Sequence, residues 1–421
     1  MHKGGETVIS AAFLFNEPEA AAADLRDPEK GNPGVGGTAL CFAYILKYLE
    51  NSKGLHIKCF SMQDTLLPCS DVVRVKDEEE AFLLALQSGT EIMILRGHQK
   101  KEVYDALKDS GLKFIFWMHN RLTYDEICLF RKEPSVKRVI AVGREMYDFY
   151  LDDPVIDKMD HIANPYLPPA EAEGFKLSGK KGICFIGALI PDKNFHILAA
   201  AWPEIKKQVP DAELHVIGTG RLYDGSAKLG AFGLAEASYE ESFMATLKTE
   251  DGKVDRDVHF HGIMGTEKYN IFRECAAGVI NPMGTETFGL AAVEMEAFGL
   301  PVVSRMKLGL PDAVRDKETG ILISDPRELA DALIRLLKDD AMRESCSANA
   351  RAFASSAFRP EKSASEWERV ISEVDKDQAA VFKKPEANMS NNNKRVRFLF
   401  HGIRKIPLFK GIKSVHDIQK K

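Results

Sequence analysis

The chain of 421 residues has no uninterrupted apolar run long enough to span a bilayer, and its N-terminal stretch has no apolar signal region. A soluble, cytoplasmic chain, or one attached at a membrane surface, is expected. It also lacks paired cysteines: Cys41, Cys59, Cys69, Cys128, Cys184, Cys275 and Cys346 are scattered, with no CxxC. That spacing excludes a zinc ribbon, and the odd number points to reduced thiols instead of a disulfide framework. No internal repeat is present, and the one low-complexity stretch, 390–393, reads as a flexible joint.

What is present is alternation. Apolar runs at 8–15, 56–61, 91–95, 112–118 and 139–142 predict strands, with helices expected between them at 40–49, 101–109 and 144–150. A second series follows at 182–186, 213–217, 258–261, 278–280, 301–304 and 320–324. Its helices are expected at 194–208, 266–275, 291–298, 327–337 and 341–353. Two successive series, in a chain 45% hydrophobic, predict an α/β protein with two Rossmann-like domains facing each other across a cleft. Three prolines within 165–169 mark the linker, because proline continues neither a helix nor a central strand. The expected domains are therefore 1–165 and 170–358, with a helix at 359–379 crossing back to the first and a basic tail at 380–421.

The most informative run is 281–294, Asn-Pro-Met-Gly-Thr-Glu-Thr-Phe-Gly-Leu-Ala-Ala-Val-Glu. Glu286 follows an apolar strand and a loop, and Glu294 lies inside the helix that opens at Phe288-Gly289-Leu290. The free N–H groups of such a helix end bind anions. Glu294 can reach two adjacent hydroxyls while Glu286 meets a second polyol. Polyol, anion, polyol is the outline of a ribose, a diphosphate and a hexose. A loop carboxylate before an ordinary amphipathic helix fits the two glutamates alone, but not the strand, Gly289 and 297–303 around them.

This run resembles the E-x7-E motif of the retaining glycosyltransferases of family 4, which have the GT-B fold. The resemblance implies that Glu286 contacts the donor sugar, Glu294 holds the ribose, and the backbone of Phe288, Gly289, Leu290 and Ala291 approaches the diphosphate. The run 185–194 is similar to the family's Gly-Arg followed by Lys-Asn, which makes Lys193 a cation for the leaving diphosphate. Ala188 stands where the family has arginine, so Arg221, or Lys193 with the helix terminus, has to supply the missing charge. Gly36 and Gly37 match the family's Gly-Gly loop, although a surface turn reads the same way. His119, at the end of the strand 113–118, matches a histidine beside the donor sugar and acceptor, with His98 a weaker counterpart and a structural histidine the alternative. Ile263 matches a position whose backbone meets the base.

The resemblance implies transfer of a hexose, with retention, from a nucleotide sugar to a glycan or lipid-linked glycan. No cofactor is expected beyond the nucleotide-sugar substrate. No metal is expected either, since the one DxD-like triplet, Asp255-Arg256-Asp257, lies in a charged loop instead of closing a strand. Two other readings stay open: a non-catalytic GT-B-like binder, suggested by Ala188, and a nucleotide-sugar epimerase or oxidoreductase. The latter wants a compact G-x-G-x-x-G directly after the first strand, which the chain does not clearly have.

Charge is uneven. Residues 380–421 hold eleven Lys or Arg against Glu386 and Asp417, a net +9 in a chain of net −5. Val396, Phe398, Leu399, Phe400, Ile403, Ile406, Leu408, Phe409 and Ile412 are interleaved with those cations. This pattern predicts a peripheral contact with an anionic membrane surface, with docking on the chain's own acidic body as the alternative. Nucleic acid is excluded as a partner because the acidic remainder would repel it.

Overall fold

The computed structural model describes residues 8–222, 225–386, 388–409 and 411–419. The chain divides into two compact units. The first contains the chain up to residue 28, with residues 38–165 and 360–421. The second contains residues 29–37 and 166–359. Residues 29–37, expected with the first domain, thus belong to the second unit, and the tail expected as a separate segment belongs to the first.

Seven parallel strands form the first unit's sheet: β1 Ile9–Phe15, β2 Leu55–Ser61, β3 Val72–Arg74, β4 Ile92–Arg96, β5 Lys113–Met118, β6 Val136–Ala141 and β7 Met159–His161. Their order is β3-β2-β1-β4-β5-β6-β7. The central strands are apolar on both faces because helices cover both sides, as parallel sheets require; five successive residues of β1, Ala11 to Phe15, are buried. The edge strands β3 and β7 are missing from the sequence reading. At three residues each they are too short to show a period, and shortness also protects an edge from unwanted pairing. The helix Pro360–Asp375 packs on this sheet, its Trp367 ring 5.5 Å from Phe13 and 5.2 Å from Trp117.

The second unit's sheet has six parallel strands: β8 Gly182–Ile186, β9 Glu213–Ile217, β10 Val258–Gly262, β11 Cys275–Val279, β12 Val302–Arg305 and β13 Gly320–Ile323. The order is β10-β9-β8-β11-β12-β13. Phe185, Leu198, Trp202, Leu214, Val216, Phe243, Leu333 and Leu336 are in its core. The topology reverses between β8 and β11. Loops leaving the C-terminal ends of those two strands are the expected ligand site of an open α/β sheet.

The basic tail folds onto the first unit. Helix Lys394–Arg404 buries Lys394 completely, paired with Glu145 and, at 3.0 Å, with Asp148. Arg397 meets Asp152 at 2.5 Å and lies over the Phe149 ring. Asp152 also accepts from the Val415 amide, and Arg131 joins Asp417 to Asp153. The cations that suggested an external anion are therefore partly used by the chain's own carboxylates. Arg395, Lys405 and Lys413 remain exposed.

Candidate functional site

Lys193 and Glu286 come together in the second unit. Lys193 stands in the short loop after β8 and Glu286 in the loop after β11, and Lys193 Nζ lies 2.7 Å from Glu286 Oε2. Both side chains keep about a fifth of their surface exposed, at 23% and 20%. Asn281 supports the pair by donating from Nδ2 to the Thr285 carbonyl at 3.2 Å and to Glu286 Oε2 at 3.5 Å. Asn194, in the left-handed region at φ 57°, donates to Asn281 Oδ1 at 3.3 Å. Arg305, at the end of β12, donates to the Met283 carbonyl of the same loop.

Two glycines allow the loop this path. A Cβ on Gly284 would meet Asn281 Oδ1 at 2.0 Å and the Asp192 carbonyl at 2.3 Å. A Cβ on Gly309 would meet the Thr287 carbonyl at 1.9 Å, and the Gly309 amide donates to the Glu286 carbonyl at 2.8 Å. The loop is thereby fixed to both neighbouring strands' loops before any ligand arrives.

Behind it, helix Leu290–Ala297 starts from Gly289 at φ 103° and ψ 50°. No side chain caps this end and no acidic residue lies in its first turn. The partial positive charge of the terminus, near Leu290 and Ala291, is therefore not offset locally. Phe288 turns inward, its ring 5.3 Å from Phe358, so only its backbone belongs to the site. Glu294 is buried and forms an ion pair with Lys268 Nζ at 3.0 Å, with the Tyr269 hydroxyl 3.4 Å from its Oε1. Lys268 and Tyr269 were not found in the sequence, because a lysine before an aromatic inside a helical stretch carries no signal of its own.

The glycine loop lies beside these residues within the second unit. Lys268 Nζ donates to the Asn32 carbonyl at 3.1 Å. A Cβ on Gly34 would approach Ile263 Cγ2 and the Met264 carbonyl at 3.2 Å, and one on Gly37 would approach Leu290 Cδ2 at 3.3 Å. Gly37, Leu290, Ile263 and Glu294 thus share a neighbourhood, and Gly36 adjoins it. Arg221 follows β9, in a loop joined to the one before Lys193 by the Leu189 amide, which donates to the Thr219 carbonyl at 3.2 Å. Arg221 Nε donates to the Ala227 carbonyl at 3.0 Å in an exposed loop, while Ala188 is fully buried. In this structure Arg221 is engaged with Ala227, and Arg305 is a further cation on the Glu286 loop. Asp255 accepts from Trp202 Nε1 and Asp257 pairs with Lys206 at 2.8 Å, so both carboxylates of the DxD-like triplet brace a helix.

In the first unit, His119 lies at the end of β5 with its ring 4.5 Å from Trp117 and stacked on Phe42. Burial, and then the Arg96 charge, push its pKa down to about 3, so the imidazole is neutral near pH 7. Arg96, ending β4, reaches the buried Glu17 just after β1 at 2.6 Å. Glu17, Arg96 and His119 are therefore all at C-terminal strand ends. The first two were missed because a lone Glu or Arg after a strand has no pattern. His98 is held by Glu126, which accepts from its amide at 2.8 Å and lies 3.1 Å from its Nδ1.

Two parallel-sheet α/β units of this build define the GT-B class of glycosyltransferase folds. Residues 170–353 match the family described as glycosyl transferases group 1. A curated D-inositol 3-phosphate glycosyltransferase from Nocardioides sp. is 45% identical over 175 residues, 40% of this chain and 36% of that protein. The chain thus matches little more than a third of that relative's length. Among solved structures, sucrose-phosphate synthase from Thermosynechococcus elongatus aligns over 87% of this chain and 99% of its own, with TM-score 0.63 and 17% identity. HepE from Anabaena, in complex with UDP and glucose, aligns over 86% and 99%, with TM-score 0.61 and 15% identity.

Proposed function

We propose that the protein is a retaining, metal-independent glycosyltransferase that moves a hexose from a nucleotide-sugar donor to a glycan or lipid-linked glycan. The observation that carries this reading is the Lys193 and Glu286 pair, whose glutamate is on the loop that runs into an uncapped helix start, within the stretch that matches group 1 glycosyl transferases. Lys193 and the amides of Leu290 and Ala291 neutralise the departing diphosphate. Glu286 orients the hexose, and in the resting state it holds Lys193 in place. Glu294, paired with Lys268, accepts from the ribose hydroxyls. Ile263 and the 33–37 loop border the base. Neutral His119 offers an imidazole lone pair that can accept a hydrogen bond from a sugar hydroxyl. The UDP and glucose in the HepE complex support a UDP-hexose as the first donor to test.

Exposed Val396, Leu399, Ile406 and Leu408, with Arg395, Lys405 and Lys413, form an outward tail face suited to an anionic membrane surface. This would bring the enzyme to a lipid-linked acceptor. A second reading, a catalytically silent nucleotide-sugar binder, is favoured by buried Ala188 in the family's arginine position and by Arg221 turned onto Ala227. Screening nucleotide sugars by thermal shift, then following slow donor hydrolysis, separates the two. A stabilising donor that is hydrolysed, with hydrolysis lost in Glu286→Gln, supports the transferase; stabilisation without hydrolysis supports the binder. No stabilisation by any nucleotide sugar overturns both.

A further inference from the structure

The outer strands of the second unit's sheet carry a cluster that the transfer chemistry does not use. Glu213 and His215 lie two residues apart on β9, and His259 and His261 two apart on β10, so each pair projects to one face of its strand. Leu214 and Val216 of β9 enter the hydrophobic core, which leaves the Glu213 and His215 face on the other side. Register does the rest: His259 is the direct cross-strand partner of His215. Their rings stack at 4.9 Å. Glu213 Oε2 lies 3.4 Å from His215 Nε2 and 3.9 Å from His259 Nε2. One donor atom from each of the three residues falls within 4.8 Å of the others.

Two further observations point to a ligand. His215 is 7% exposed, and its Nε2 makes no hydrogen bond even to the nearby Glu213, which is misaligned for one. A buried ring nitrogen left so bears its desolvation cost uncompensated unless something binds it. In addition, His215 Nδ1 lies 3.1 Å from His261 Nε2. A proton on Nδ1, donated to His261, leaves the Nε2 lone pair directed at the gap between Glu213 and His259. Metal-ligating histidines are commonly oriented in this way by a partner on the other ring nitrogen.

We propose that Glu213, His215 and His259 bind a divalent first-row transition metal of the zinc type, with His261 as the positioning residue behind His215. Tetrahedral zinc with bonds of about 2.0–2.1 Å separates its ligand atoms by roughly 3.3 Å; the Glu213–His215 pair already stands at 3.4 Å, and side-chain rotation of the partly exposed His259 brings it from 3.9 Å into place. Two imidazoles and a carboxylate suit that class of ion, and the half-exposed Glu213 and His259 leave a fourth position for water. The cluster begins at the N-terminal end of β9, whereas Lys193 and Glu286 follow the C-terminal ends of β8 and β11. Its role is to tie the edge strand β10 to β9, and the proposal stands independently of the transfer reaction.

The test uses the untagged full chain, freed of metal with a chelator and then titrated with zinc. One zinc per chain is expected, raising Tm by roughly 5 °C at a hundredfold excess over Kd. Cobalt should give the visible absorption of a tetrahedral site. His259→Gln, on the partly exposed edge, should keep the metal-free Tm and weaken zinc binding at least about 100-fold; His261→Gln should weaken it about 10-fold or more. No stoichiometric zinc, or an equal zinc-induced shift in wild type and His259→Gln, overturns the proposal.

Discussion

At the residue scale, the ion pair of Lys193 and Glu286 sets the expectation for catalysis. Both groups are partly exposed, so their attraction contributes little to stability, and their value lies in the charge they present to a ligand. Lys193→Ala should leave the fold unchanged and lower kcat/KM by about 100-fold, near 3 kcal/mol, the scale of removing one electrostatic donor. Steady-state kinetics with the donor found by thermal shift measures this. Unchanged kcat/KM would mean that the diphosphate charge is met elsewhere, with Arg305 the next residue to replace. Glu294→Ala should weaken nucleotide binding, read by calorimetric titration. That variant also leaves the buried Lys268 without an acceptor at position 294, so Glu294→Gln, which keeps the volume and a carbonyl oxygen for Lys268 Nζ, is the control.

His119 makes a separate prediction. In the folded chain its pKa is about 3, against about 6.5 when unfolded. Between those values the unfolded state binds the extra proton, so stability is lost as pH falls below 6.5. At pH 5 the share of this one residue is about 2 kcal/mol. His119→Phe, which keeps the stacking on Phe42 and Trp117, should lose about 2 kcal/mol less than wild type between pH 7 and pH 5 in denaturant unfolding. Equal losses would show that His119 can reach a proton from solvent without unfolding.

At the element scale, the helix Leu290–Ala297 owes its position to Gly289. The glycine adopts φ 103°, and a Cβ there would meet Ile280 Cδ1 and Leu310 Cδ2 at 3.2 Å. Gly289→Ala therefore combines backbone strain with crowding, and should cost about 2–3 kcal/mol. Gly262 isolates the strain: at φ 71° it has open space where a Cβ would be, so Gly262→Ala should cost only about 1 kcal/mol. Urea midpoints of the two variants compare them directly. Equal costs would mean that the helix start relaxes freely, and a fixed anion-facing terminus would no longer explain the site.

At the scale of the whole molecule, the tail both docks and displays. Lys394 and Arg397 hold helix Lys394–Arg404 to Glu145, Asp148 and Asp152, while Leu399 and Leu408 are 61% and 85% exposed. Leu399→Asp with Leu408→Asp should leave the docking untouched and abolish co-sedimentation with anionic vesicles at low salt. Wild-type pelleting equal to that of the double variant would remove the membrane role and leave the tail as a brace of the first unit.

Much of this organisation is written in the local sequence. Strands such as β8 and β9 and the helix after Gly289 follow from periodicity and glycine placement, whereas Lys193 is picked out in the sequence only by resemblance to a known motif and its contact with Glu286 only by the fold. Periodicity and glycine placement are short-range signals, carried by neighbours along the chain. Tertiary structure alone decided the rest. The strand β3 is too short to have a period, Glu17 with Arg96 spans 79 positions, and Lys268 meets Glu294 only because the helices Lys268–Arg273 and Leu290–Ala297 come together. The Glu-x-His and His-x-His pairs on β9 and β10 are visible separately, but only the register of two strands brings His259 against His215. Glu145, Asp148 and Asp152 likewise draw in the basic tail across some 250 positions. Composition gives the tail's charge; only the folded chain determines which carboxylates receive it.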